Sequence, residues 1–192
     1  SAISARDYAP GVAADSLVSA SVCYQRLGQT ERGLEVAEEA ASLYQRANSV
    51  FGECVAQNNR AILLERLDRY KEAEEIYKAA LEKAVDCGYL HGIAAIEANL
   101  SFIAYLRDNG EAAEKHAARS LQFSQMISHR NSIAIALINQ GLSLSLDGYI
   151  HDGRKKLEDA MQLLAEMKDE DMLVEARAEA AWLAMLEDDC EK

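Results

Sequence analysis

Three asparagines stand forty residues apart, Asn59, Asn99 and Asn139, each two residues before a small side chain, Ala61, Ser101 and Gly141. A carboxamide has one acceptor oxygen and two N–H donors, so it can pair with both the C=O and the N–H of a passing peptide backbone. Packed helices lie about 8–10 Å apart, and an extended peptide rises about 3.3 Å per residue. One such carboxamide per repeat would then meet roughly every third residue of an extended peptide. Contacts of this kind tolerate any sequence, so side-chain pockets would have to supply specificity. The same amides could instead satisfy backbone groups of neighbouring helices, and the spacing leaves both roles open. Ser19 and Glu179 fill the flanking copies.

Other reactive side chains form no constellation. His91, His116, His129 and His151 share no register and show no HxxxH or HExxH spacing. Cys87 and His91 are four apart, but Gly88 intervenes at a turn, which makes them a poor nucleophile and base. His116, between Lys115 and Arg119, reads as part of a solvated face. Cys23, Cys54, Cys87 and Cys190 contain no CxxC pair, and they read as buried, reduced thiols in a cytoplasmic protein. No glycine-rich phosphate loop is present. The pattern therefore carries no enzyme, metal or cofactor reading, and none of the three is expected.

Charge narrows the partners. Twenty basic residues face thirty-two acidic ones, a net charge of -12, which repels phosphate backbones and anionic lipid. Nucleic acid and membrane surfaces are thus poor candidates. No apolar run reaches the length of a membrane span, and residues 1–20 lack a basic segment followed by an apolar one.

The elements that must position the asparagines repeat with the same interval. Ser21, Ala61, Ser101, Gly141 and Ala181 form one series, Gly33, Ala73, Ala113 and Gly153 a second, and Ala40, Ala80, Ser120 and Ala160 a third. Small residues in fixed slots mean one supersecondary unit stacked on itself, with helices approaching wherever a side chain is missing. Within each block the apolar spacing is three and four, the helical period. Breaks fall at Gly28-Gln29, Asp68-Arg69, Asp108-Asn109-Gly110 and Asp147-Gly148, where Gly or Asn can take the left-handed conformation that ends a helix.

Nine helices are expected, at about 11–27, 30–47, 50–67, 70–86, 90–107, 110–127, 131–146, 150–167 and 170–187. Pro10 suits the first turn of the first. Lys168-Asp169-Glu170-Asp171 should open the ninth with negative charge at its N-terminus. The short links predict a single domain over 1–192, with repeats at about 11–48, 49–88, 89–128 and 129–168 and a terminal helix at 169–188. The ninth helix reads either as a polar cap, with Glu175, Glu179, Glu187, Asp188 and Asp189, or as a cut through a longer array. The second is favoured, because residues 1–9 occupy the register of a preceding second helix. A cut array should self-associate weakly through its terminal repeats.

The pattern Leu100-Ser101, Ala104, Asp108, Ala113, Ala117, Ser120-Leu121 resembles the tetratricopeptide repeat. So does Asn59-Arg60-Ala61, Leu64, Asp68, Tyr70, Ala73, Tyr77, Ala80-Leu81. The forty-residue interval is similar to the repeats of kinesin light chain, of spindle-orientation adaptors and of the sensor arms of bacterial signalling ATPases. The usual first-helix aromatic is absent, and Gly33 and Gly153 replace the usual Ala. The resemblance implies an all-α, right-handed α-solenoid of four helical hairpins plus a final helix. In such arrays the first helix of each unit lines the concave face. One lining slot would read Val22, Ile62, Phe102, Leu142, Trp182, and another Arg26, Arg66, Leu106, Leu146, Leu186.

The resemblance also implies a non-catalytic protein-interaction module. Asn59, Asn99 and Asn139 would hold a peptide of another protein, or of the parent chain. Arg26 and Arg66 would favour an acidic group at one end, and Phe102, Tyr105, Leu142 and Trp182 would accept apolar side chains. The alternative is the regulatory arm of a bacterial signalling ATPase or transcription regulator. It would require a closed small-effector pocket on which Phe102 and Tyr105 converge.

Overall fold

A computed structural model describes residues 10–190, with side chains to residue 186. Among them are nine helices and no strand. These are α1 Pro10–Arg26, α2 Thr30–Arg46, α3 Val50–Glu65, α4 Tyr70–Asp86, α5 Leu90–Leu106, α6 Gly110–Met126, α7 Arg130–Leu146, α8 Ile150–Met167 and α9 Glu170–Cys190. Each starts within a residue of its predicted position. Residues 1–9, expected in the register of a preceding helix, lie outside the described residues, as do the side chains of Glu187, Asp188 and Asp189. The chain divides into two compact units, Ser1–Gly92 and Ile93–Lys192.

One turn closes every helix from α1 to α8. Gly28, Asn48, Asp68, Gly88, Asp108, Ser128, Gly148 and Lys168, twenty residues apart, all have φ between +52° and +83°. At each, the next residue's N–H returns to the carbonyl five residues back. Examples are Gln29 to Tyr24 (2.9 Å), Arg69 to Leu64 (2.9 Å) and Asp169 to Leu164 (3.1 Å). This double closure satisfies carbonyls that a helix end leaves unpaired. The following residue then caps the next helix in four copies. Ser49, Asn109, His129 and Asp169 accept from the N–H three residues on, at 3.2–3.3 Å. As expected, Glu170 and Asp171 lie in the first turn of α9, where negative charge meets the positive end of the helix dipole.

Within each hairpin the two helices meet at small residues. In the second unit, Ser101 Oγ donates to the Ala113 carbonyl at 2.7 Å, and Ser120 Oγ to the Ala94 carbonyl at 2.8 Å. In the first unit, Cys54 Sγ lies 3.7 Å from the Ala80 carbonyl. Apart from Ala181, which is exposed, every member of the three small-residue series is buried. The contacts add a fourth series, Ala14, Cys54, Ala94 and Ala134, each 0% exposed.

Two expectations about cysteine change. Cys54 is buried, but Cys23 and Cys87 are exposed. Cys23 shares the register of Leu63 and Ile103, which are buried in their own copies, yet α1 turns that face to the surface. Cys87 lies beyond the last residue of α4, in the turn at Gly88.

Candidate functional site

In the first unit the predicted lining comes from α1 and α3. Val22, Ile62 and Asn59 are half-buried, whereas Arg26 and Arg66 are exposed. One helical residue before Arg66, Glu65 turns inward. Burial lifts its pKa to about 7, against smaller opposing effects of a hydrogen bond from Tyr77 and the charge of Arg66. A cavity of about 250 Å³ lies between α3 and α4, lined by Gln57, Arg60, Glu75, Ile76, Ala79, Ala80 and Lys83. Its cations are already matched, Arg60 with Glu38 at 3.0 Å and Lys83 with Glu53. That pairing leaves little net field for an anion.

In the second unit the first helices are α5, α7 and α9. Phe102, Leu106 and Trp182 are 39%, 43% and 42% exposed, an unburied apolar set on helices whose other apolar residues are mostly covered. Tyr105 is half-buried, and burial together with the Glu179 carboxylate raises its pKa. Glu179, in the register of the asparagines, is itself raised by burial and by Glu175. Leu142, expected at the surface of the lining, is only 3% exposed, so it contributes to the core of this unit.

The asparagine positions differ among themselves. Asn139 is 8% exposed, and its Nδ2 donates to the Ala98 carbonyl of α5 at 2.8 Å. It ties first helix to first helix, the second of the two roles open in the sequence. One N–H is thereby committed, while a carboxamide retains a second N–H and its oxygen. Asn59 and Asn99 are half-buried and reach the surface.

Sequence reasoning missed a charge cluster between α5 and α6. Glu97 is 0% exposed. Its Oε2 lies 2.6 Å from His116 Nδ1 and its Oε1 2.9 Å from Arg119 Nε. His116, half-buried, therefore packs on a buried carboxylate and does not belong to a solvated face. The available signal was Glu97 itself, the one charged residue between Ile93 and Ile103. Elsewhere in the second unit, a cavity of about 540 Å³ is lined by Glu114, Gln140, Leu144, Asp152, Lys155, Lys156 and Asp159. Its charges are of mixed sign and give it no preferred ligand.

Among the described residues, no three His, Cys, Asp or Glu side chains converge as a metal site, and no helix is long and apolar enough to cross a membrane.

Residues 13–84 match the family model for the tetratricopeptide repeat. No curated protein matches the sequence. Among solved structures, the apo form of RapI superposes with a TM-score of 0.77 at 15% identity, over 86% of this chain and 61% of that one. BtubC (BKLC) from P. vanneervenii gives 0.71 at 19% identity, over 83% of this chain and 66% of that one. The TPR-like repeats of a putative kinesin light chain of P. anserina give 0.67 at 15% identity, over 92% and 93%. The chain thus spans just under two thirds of BtubC and less of RapI. At these identities the likeness is one of fold.

Proposed function

Because this chain is built of tetratricopeptide-type helical hairpins, we propose that it is a non-catalytic module that binds a peptide segment of another protein along its first helices. Such repeats generally mediate protein–protein interaction. The observation that carries the reading is the exposure of Phe102 and Leu106, one helical turn apart on the same face of α5, together with that of Trp182 on α9, since adjoining exposed apolar side chains mark interaction surfaces. Asn99 would add sequence-tolerant contacts to the peptide backbone. In the first unit, Asn59 would do the same, and the exposed Arg26 and Arg66 would favour an acidic ligand group. Free thiols at exposed Cys23 and Cys87 suit a reducing compartment such as the cytoplasm.

The effector-sensing alternative has less support. It calls for a closed pocket around Phe102 and Tyr105, and neither residue lines the two cavities described above. A peptide selected from a random library against the whole chain tests the proposal by calorimetric titration. Asn99→Ala should weaken it by several-fold, as the loss of one or two hydrogen bonds worth about 0.5–1.5 kcal/mol each requires. Unchanged affinity in both Asn99→Ala and Phe102→Ala would sink the reading.

A further inference from the structure

Cys54 and Cys87 bring two thiols together in the first unit. Cys54 lies near the start of α3 and is 0% exposed, in the slot that Ala14, Ala94 and Ala134 fill in the other copies. Cys87 follows the last residue of α4 and is exposed, whereas its counterparts Ala47, Ile127 and Met167 are half-buried. Both sulfurs lie against α4. Cys54 Sγ stands 3.7 Å from the Ala80 carbonyl oxygen, and Cys87 Sγ 3.6 Å from that of Ala84. Carbonyls four residues apart follow one another along one row of the helix, about 6 Å apart. The two thiols are within side-chain hydrogen-bonding reach of each other.

Ring packing holds the same two segments together at a second point. Phe51, three residues before Cys54, packs on Tyr89, two residues after Cys87, with ring centroids 4.5 Å apart. The start of α3 and the exit of α4 are thus pinned beside the sulfurs. Packing accounts for neither thiol, since the Cys54 slot takes Ala in every other copy and Cys87 stands at the surface. We propose that Cys54 and Cys87 form a reversible disulfide when a peroxide reaches the exposed Cys87.

Exposure sets the order of events. Burial pushes the Cys54 thiol up to about 11, and the neighbouring Cys87 adds to the rise, so Cys54 stays protonated and shielded while Cys87 meets the oxidant. The Cys87 sulfur attacks one peroxide oxygen, the O–O bond breaks, and the other oxygen leaves as water with the thiol proton. Cys54 Sγ then attacks the sulfenic sulfur. The S–O bond breaks, the hydroxyl leaves as a second water with the Cys54 proton, and the S–S bond remains. In sum, two thiols give up two electrons and one hydrogen peroxide becomes two waters. A small thiol reverses the step by exchange at the exposed Cys87 sulfur. Transient disulfides of this kind are the ones that occur in reducing compartments. The pair lies wholly in the first unit and does not depend on peptide binding at Asn99 and Phe102.

The test treats the folded whole chain with hydrogen peroxide, removes the excess with catalase, alkylates the remaining thiols in urea and digests with trypsin. The dose is raised until the exposed Cys23 is oxidised. Mass spectrometry should find peptide 47–60 joined to peptide 84–107, and dithiothreitol should separate them. Cys54→Ala, which installs the residue of the other copies, should abolish the joined pair and raise the Cys87 sulfenic acid trapped by dimedone at least about tenfold. The same treatment of the wild-type chain in urea should form the pair at least about tenfold more slowly, because only the fold holds the two sulfurs together. Cys54 and Cys87 still fully alkylated at a dose that oxidises Cys23 would overturn the proposal. So would Cys87 joined to Cys23 or to a second chain in place of Cys54, or a pair that forms as fast in urea.

Discussion

Gly141 of α7 and Gly153 of α8 lie backbone to backbone. A Cβ built on Gly141 would stand 2.7 Å from the Gly153 carbonyl oxygen, and one on Gly153 would stand 2.5 Å from the Gly141 carbonyl oxygen. In the preceding hairpin the equivalent positions are Ser101 and Ala113, joined by a hydrogen bond. That pair has room for side chains, so the fourth hairpin is the more tightly closed. Gly141→Ala or Gly153→Ala must push the two helices apart and should each destabilise the chain by about 1–3 kcal/mol through overpacking. Urea denaturation followed at 222 nm would measure it. Wild-type midpoints in both variants would mean that the helices separate at no cost.

Glu65 makes stability depend on pH in an unusual direction. Its folded pKa, about 7 through burial, exceeds the ordinary glutamate value of about 4.3 in an unfolded chain. Between these values the folded state binds more protons, so this group's contribution is full below pH about 4.3 and is lost as pH rises through 7. Glu65→Gln removes the titration. The variant should gain on wild type by about 1–3 kcal/mol between pH 4 and pH 8. Parallel stability curves across that range would contradict the burial argument.

The Glu97 cluster predicts an asymmetry. Arg119→Ala removes one partner of a buried carboxylate and should cost about 1–3 kcal/mol, since Arg119 is itself 42% exposed and His116 remains. Glu97→Leu removes the charge that needs partners, and Leu137 occupies the same register one repeat later. It should therefore cost far less than Arg119→Ala. Thermal unfolding of the two variants would decide, and equal losses would show that the cluster is not organised around the buried charge.

Asn139 and Asn99 should differ in their effect on binding. Asn139→Ala removes the side-chain bond to the Ala98 carbonyl, which keeps its helical donor, and should lower stability by about 0.5–1.5 kcal/mol. Asn99→Ala should lower the affinity for a selected peptide by more than Asn139→Ala does, whatever each costs in stability. Denaturation and titration of both variants, made side by side, would measure the two effects, and equal losses of affinity would contradict the expectation.

The hairpins were legible because small residues recur in fixed slots and the apolar spacing is helical throughout. The turns were legible mostly by register. Gly28, Asn48, Gly88 and Gly148 announce a left-handed residue, but Asp68, Asp108, Ser128 and Lys168 take the same conformation where residue type alone gives a weaker signal or none. Long-range pairing was not legible. Nothing in Glu97, His116 and Arg119 as a string shows that α5 and α6 bring them together, and periodicity cannot tell a surface leucine from Leu142. For the lining, the slots could be written from the repeat. Which members stay exposed depends on how each hairpin packs.

The most direct test of the central claim places a photoreactive phenylalanine analogue at Phe102 in one variant and at Glu75 of α4 in another. Each is irradiated with the selected peptide bound. Binding along the first helices predicts a crosslink from position 102 and none from position 75. A crosslink from position 75, with none from position 102, would place the peptide on the second helices and contradict the claim.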